Sequence, residues 1–399
     1  MASDAPQVAD ESGRRGWFGS IRAPGGQSAT FVELFFDLVF VFALTEVTAL
    51  TLEHLNLEGA ARSLLIFWMI WWAWTQWTWA LNTSDTEHAM VRVATLVATA
   101  AAFIMAASVG LAFEAGERLW FAIPYVAVRA IGMAINVIVV ADHREQLIAV
   151  RQFTLASIPG MVVVIVGGFM EAELRGWFWL AAVLLDIGAT LVAGRYEDWG
   201  LHAGHFAERH ALFVIIALGE SLIVVGLVFA GAERDTELVR VAIGAVVVTC
   251  LLWWTYFGWL KDALEQQLER EPSATEGEFA RDAFSLLHFP LIGGVIGIAI
   301  GFEEMVHHPA DAVPGEVLVA LGLGLALFLG ASALAWLRAS GELLWSRIGA
   351  VAVLAGGLAV AADAEPVWLL TLVAAVLAGV VAIETVLRPG AAVEVEQAA

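Results

Sequence analysis

Residues 31–54 read FVELFFDLVFVFALTEVTALTLEH. The run is long enough to cross a bilayer, yet it carries Glu33, Asp37 and Glu46. Ionisable side chains at membrane depth are costly and normally face a protein interior or a wet cavity. The stretch therefore predicts a transmembrane helix that walls a functional site. Glu33 and Asp37 are four apart, so they share one helix face, about 6 Å apart along the axis. Glu46 lies about 13 Å beyond Asp37, on roughly the opposite face. At least one of the three acids must then face a different neighbour from the others. Glu33 also suits a helix cap, because a carboxylate in the first turn complements the helix dipole.

Working outward, apolar runs of similar length recur along almost all 399 residues, of which 60% are hydrophobic and only 15% charged. Soluble domains carry nearer to a quarter charged residues. The expectation is an all-α integral membrane protein in the lipid bilayer. The runs are continuous, which argues against the alternation of a β-barrel. Twelve spans are expected, at 31–53, 61–81, 89–113, 118–140, 149–170, 175–194, 207–231, 238–260, 280–302, 315–338, 342–362 and 366–387. Residues 261–279 have room for a small amphipathic helix. Arg and Lys fall unevenly across the connections, fourteen to five, if the N-terminus is cytoplasmic. By the positive-inside rule both termini are then cytoplasmic.

A weak internal repeat is visible. FVELFFDLVFVFALTEV in the first span lines up with FAERHALFVIIALGESL in the seventh, matching Glu33 to Glu208 and Glu46 to Glu220. Trp71-Trp72 answers Trp253-Trp254, and VGLAFE ending at Glu114 answers IAIGFE ending at Glu303. The expected organisation is a tail at 1–30, six-helix halves at 31–200 and 201–388, and a tail at 389–399. Six spans is an even number, so the halves form parallel repeats about an axis along the membrane normal.

Candidate site residues are the charged and titratable groups inside spans: Glu33, Asp37, Glu46, Arg129, Asp186, Glu208, His210, Glu220 and His288. Arg129 needs a carboxylate or carbonyl partner at mid-membrane, with Asp37, Glu46, Glu220 and Asp186 as candidates. His288 and His210 are polar groups in apolar surroundings, where a histidine is more often simply hydrogen-bonded. In FWMIWWAWTQWTW, six tryptophans lie between Trp68 and Trp79. The earlier ones read as packing and the later ones as an interfacial belt. Pro124, Pro159 and Pro290 are expected to kink their spans, and the glycines of 293–301 to allow close helix packing. Cys250 is the only cysteine and reads as a small core residue. A net charge of −21 argues against nucleic acid as a partner. It fits solvated loops, or a field that enriches cations near a pore mouth. No Walker loop, zincin pair or G-x-S-x-G elbow is present. The expectation is a non-enzyme with no cofactor and no metal site.

VELFFDLVFVFAL, the Trp-rich second span and HFAERHALFVIIALGESL together resemble the bacterial low temperature requirement protein A family over nearly the whole chain. The resemblance implies a multi-pass inner-membrane protein connected with growth in the cold. It brings no catalytic residues. Phe36-Asp37-Leu38-Val39-Phe40 followed by Ala43-Leu44-Thr45 is also similar to the first-helix Phe-Ser-Asp motif of a potassium-channel family built from six-helix repeats, with the Ser missing.

The leading expectation is a secondary transporter of a small solute or ion, with a proton or monovalent cation as coupling species. Its site is expected between the halves, from Asp37, Glu46, Arg129, Asp186 and Glu220. A cation channel and a non-transporting protein acting on lipids or partner proteins during cold adaptation are the alternatives. A homo-oligomer is compatible with the sequence.

Overall fold

The computed structural model describes residues 21–23, 26–114, 116–193 and 199–387. Residues 1–20 of the expected tail at 1–30, with Arg14 and Arg15, the expected tail at 389–399, and Arg195 and Arg388 lie outside the described residues. Among the described residues every regular element is helical: α1 (Phe31–Glu53), α2 (Leu57–Asn82), α3 (Ala89–Ala107), α4 (Leu119–Val139), α5 (Arg144–Gly168), α6 (Ala172–Ala193), α7 (Ala203–Gly231), α8 (Thr236–Phe257), α9 (Leu260–Arg270), α10 (Ser273–Phe279), α11 (His288–His307), α12 (Gly315–Ser340), α13 (Trp345–Val360) and α14 (Pro366–Leu387). A π-helical segment, Ala280–Leu286, joins α10 to α11.

Local chemistry sets the ends. Asn56 accepts from Gly59 N and Asp235 from Leu238 N, capping α2 and α8 through orphan amides of the first turn. Glu33 reaches back to the Thr30 amide at 2.9 Å, so it does cap α1. Gly341 closes α12 at φ 75°, a left-handed cap that favours glycine. Residues ahead of α1 dock on the α2–α3 turn, with Ala23 N donating to Thr83 O and Asp85 N to Ile21 O.

Ten of the helices, or helix pairs continuous with them, are long and apolar enough to cross a membrane. Two of the twelve expected spans fall short by that measure. The tryptophans, Gln76 and threonines of α2 dilute its hydropathy, and α13 has only 16 residues. The exposed surface is itself apolar, with Phe31, Leu57, Phe103, Trp120, Leu227 and Val360 all outward. Such a surface suits lipid and not water.

The interior is built around α1 and α7. Helix α1 packs on α2, α3 and α7, and α7 packs on α8 and α11. Helices α3 and α4, α4 and α5, and α5 and α6 are neighbours, as are α11 and α12, α12 and α13, and α13 and α14. Helix α2 also touches α6, and α8 touches α14. The glycines of α11 work as expected. A Cβ on Gly294 would meet the backbone of Gly324 and Phe328, and one on Gly297 would meet that of Ala320.

Several expectations change. Residues 261–279 hold two helices, with Leu260, Leu264 and Leu268 forming the buried stripe of α9. The third span ends in turns after Ala107, and the ninth begins at His288. Pro290 is the third residue of α11, directly after the π-helical segment. No tryptophan of α2 forms an exposed belt. Trp71, Trp74 and Trp77 are fully buried, because α2 is enclosed by α1, α4, α6 and α7. Cys250 is exposed on α8 and is not a core residue.

Candidate functional site

Helix periodicity brings Glu33 and Asp37 onto the α1 face that meets α7, where they enclose Arg209. Arg209 Nη1 donates to Glu33 Oε1 at 2.6 Å and Nη2 to Asp37 Oδ1 at 2.6 Å, with Nε at 3.2 Å from Asp37 Oδ2. All three side chains are wholly buried. Trp74 of α2 donates its indole N–H to Asp37 Oδ1 at 2.7 Å. The Thr30 amide and hydroxyl both reach Glu33 Oε2 at 2.9 Å. His205 Nε2 stands 3.0 Å from Glu33 Oε1, off the line of a straight hydrogen bond.

The Asn82 amide is oriented by the His202 backbone, accepting from its N at 2.8 Å and donating to its O at 2.9 Å. Its second N–H is 3.2 Å from His205 Nδ1. With Nδ1 toward the Asn82 amide, the other ring nitrogen, Nε2, faces Glu33. Two carboxylates against one guanidinium leave a negative charge in excess in a buried site. Buried charge of that kind calls for a proton or a cation.

The other expected site residues lie elsewhere. Arg129 pairs with Asp186 alone of its four candidate partners, through a two-pronged bridge at 2.6 and 2.7 Å. Gln76 and Tyr125 complete the Arg129 shell at 2.7 Å each. Glu220 accepts from Thr45 Oγ1 at 2.5 Å, farther along the same α1–α7 contact. Glu46 is half-buried and has no hydrogen bond or ion pair among the described residues. Glu208 accepts from Ala29 N at 2.9 Å. His210 donates from Nδ1 to Phe206 O at 2.9 Å among Trp74, Phe284 and the His288 ring. His288 is held between Ala283 O at 3.0 Å and the Tyr256 hydroxyl at 2.7 Å.

The expectation of one site from Asp37, Glu46, Arg129, Asp186 and Glu220 is thus corrected. Asp37 belongs to the Arg209 cluster. Arg129 and Asp186 neutralise one another between α4 and α6. Glu46, on the far side of α1, meets neither.

Neither Arg209 nor His205 is among the expected site residues. Nor is a second interior pair, Arg347 and Glu384, joined at 2.9 Å by both Nε and Nη2. One signal was available for Arg209, Arg347 and Glu384: a charge inside an apolar run too long to be a loop.

A cavity of about 760 Å³ opens beside the cluster, between residues 26–28, the start of α7, α9 and α10. Glu208, Glu265, Glu269, Glu271 and Glu276 line it, with Lys261, His202 and His205. His205 thus lines this acidic vestibule and also contacts Glu33. The buried half of α9 presents its leucines to the core and leaves Lys261, Glu265 and Glu269 to the cavity.

Comparison with known proteins gives a family and no activity. The family model described as "Bacterial low temperature requirement A protein (LtrA)" matches residues 28–382. The chain is 31% identical over 303 residues to "Uncharacterized protein RA0937" of Rhizobium meliloti (strain 1021), covering 70% of each protein. No solved structure matches. The matched span takes in α1, α7 and all of the buried charges except Glu384, and the chain belongs to the bacterial low temperature requirement A family.

Proposed function

We propose that this membrane protein is a secondary transporter of a small solute or ion, coupled to a proton taken up by the Glu33–Asp37–Arg209 cluster. The observation that carries the reading is the charge imbalance of that cluster in a fully buried position between α1 and α7. One proton or monovalent cation balances it, and its arrival changes how tightly Arg209 holds the two helices together. The acidic vestibule supports the same reading, since a cleft lined by one sign of charge concentrates cations.

The proposed architecture is twelve spans in two parallel six-helix repeats in the cell membrane, with cytoplasmic termini. Two observations favour it. The α1–α7 contacts advance in the same sense, Asp37 to Arg209 and then Thr45 to Glu220, so these two helices run parallel. Most neighbour pairs of α1 to α6 also recur in α7, α8 and α11 to α14, the α2–α4 contact excepted.

The test is flux in liposomes containing purified protein, with a pH gradient and a potassium gradient applied separately. Asp37→Asn keeps the side-chain shape and leaves one carboxylate for one guanidinium. Proton flux is expected in the wild type and is expected to vanish in that variant. Flux unchanged in both Asp37→Asn and Glu33→Gln sinks the assignment. Voltage-driven current without saturation makes the protein a channel instead. Folded protein that moves neither protons nor potassium under either gradient removes the coupling proposed.

A further inference from the structure

A second cavity, of about 60 Å³, lies between α2, α4, α5 and the α10–π segment, and shares no lining residue with the vestibule. It has room for a few waters or one compact molecule. Its inner wall is the polar stretch of α2: Trp72, Thr75 and Gln76.

Hydrogen-bond accounting singles out this wall. Trp71, Trp74, Trp77 and Trp79 all donate their indole N–H, to Ser285 O, Asp37, Val128 O and Ser285 Oγ. Trp72 Nε1 is buried and has no acceptor. Thr78 donates back to the Trp74 carbonyl, as helical threonines commonly do. Thr75 Oγ1 does not, and is left unpaired. Gln76 spends its carbonyl oxygen on Arg129 Nε, which fixes the amide orientation and leaves Nε2 buried without a partner. Three adjacent buried groups with donor hydrogens thus lack acceptors and line one cavity, whereas other unpaired buried atoms, such as Trp68 Nε1, Ser63 Oγ and Ser157 Oγ, do not line it.

Charge points the same way. Among the described residues no carboxylate lines this cavity, although the chain carries a net charge of −21. Among the described residues the one charged lining residue is Arg281. Arg281 and Arg338 share a single carboxylate, Asp282, which leaves one positive charge among these three residues. Met133, Phe153 and Trp79 supply apolar wall.

We propose that this cavity binds a short-chain monocarboxylate, its oxygens accepting from Trp72, Thr75 and Gln76 and its alkyl end lying against Trp79 and Met133. The donors match a carboxylate, and hydrogen bonds to an ionised acceptor are the strong kind. The aromatic wall matches a carbon chain and gives an inorganic anion nothing to contact. The site goes beyond the proton-coupling reading and does not depend on it.

The experiment is equilibrium binding of radiolabelled propionate to the purified full-length protein in detergent. Saturable binding at one site per chain is expected. Trp72→Phe and Thr75→Val each remove one donor at nearly constant shape, and each is expected to weaken binding at least tenfold with the melting temperature unchanged. Gln76→Glu, which retains an acceptor for Arg129 and adds a negative charge to the wall, is expected to abolish binding. Asp37→Asn is expected to leave it intact, so a failure of the transport reading is seen separately from a failure here. Absence of saturable propionate binding overturns the proposal, as does binding unaffected by all three cavity variants. Saturable binding of nitrate in place of propionate overturns the carboxylate assignment.

Discussion

At the residue scale, the buried arginines set the terms. Arg209 is held by Glu33 and Asp37, Arg129 by Asp186 and Arg347 by Glu384, each with its side chain wholly enclosed. Such pairs need not stabilise relative to a well-packed apolar core, but removing one partner strands a charge at about 3–5 kcal/mol. Asp186→Ala should therefore lower the melting temperature in detergent sharply. The combined Arg129→Met and Asp186→Leu protein should recover most of that loss, and a double as unstable as the single change would contradict the account. Arg209→Gln should be more damaging than Asp37→Asn. The first leaves two carboxylates facing one another, whereas the second leaves a matched pair. Thermal melts of the two variants side by side decide this.

At the element scale, packing is decided by where backbones approach. On α11, Gly294, Gly297 and Gly301 form a stripe against α12. A methyl group at Gly294 would sit 2.5 Å from Gly324 O and 2.7 Å from Phe328 N, so the helices would have to separate. Gly294→Ala is expected to cost about 1–3 kcal/mol. Gly330→Ala, on the same α12 and with open space at its Cβ, should be nearly neutral. Equal melting temperatures for the two would refute the close-approach argument. Helix α2 shows what one-dimensional reading loses at this scale. Its earlier tryptophans read as packing and its later ones as interfacial, yet contacts with α1, α4, α6 and α7 bury Trp77 as completely as Trp71 and Trp74. Hydropathy scores a side chain against water or lipid, and α2 meets chiefly other helices.

At the scale of the whole molecule, the proposed orientation puts the vestibule, α9 and α10 on the cytoplasmic side. Ser273, at the exposed start of α10, offers a test on a Cys250→Ala background that removes the native thiol. A Ser273→Cys protein should resist a membrane-impermeant maleimide in intact cells and react in inverted vesicles. Labelling from outside would reverse the topology. The arginine bias behind that orientation is diluted but not removed by the structure. Arg209 and Arg347 on one side and Arg175 on the other are interior groups and report packing rather than loop charge.

The sequence by itself determined the class of protein, the positions of most helices and the importance of the first helix. Each follows from local composition: apolar runs, caps, and carboxylates where lipid forbids them. It could place Glu33 and Asp37 on one face, because helical periodicity is a property of neighbours along the chain. It could not say that Arg209, more than 170 residues away, would close on them, or that Asp186 would be the partner of Arg129. Nor could it separate Glu46 from the cluster or find the empty donors of Trp72, Thr75 and Gln76. Those facts are choices among many similar apolar faces, which differ little in burial. Only the tertiary packing of α1 on α7, and of α2 among its neighbours, selects one arrangement, because only there do the few polar groups find or fail to find partners.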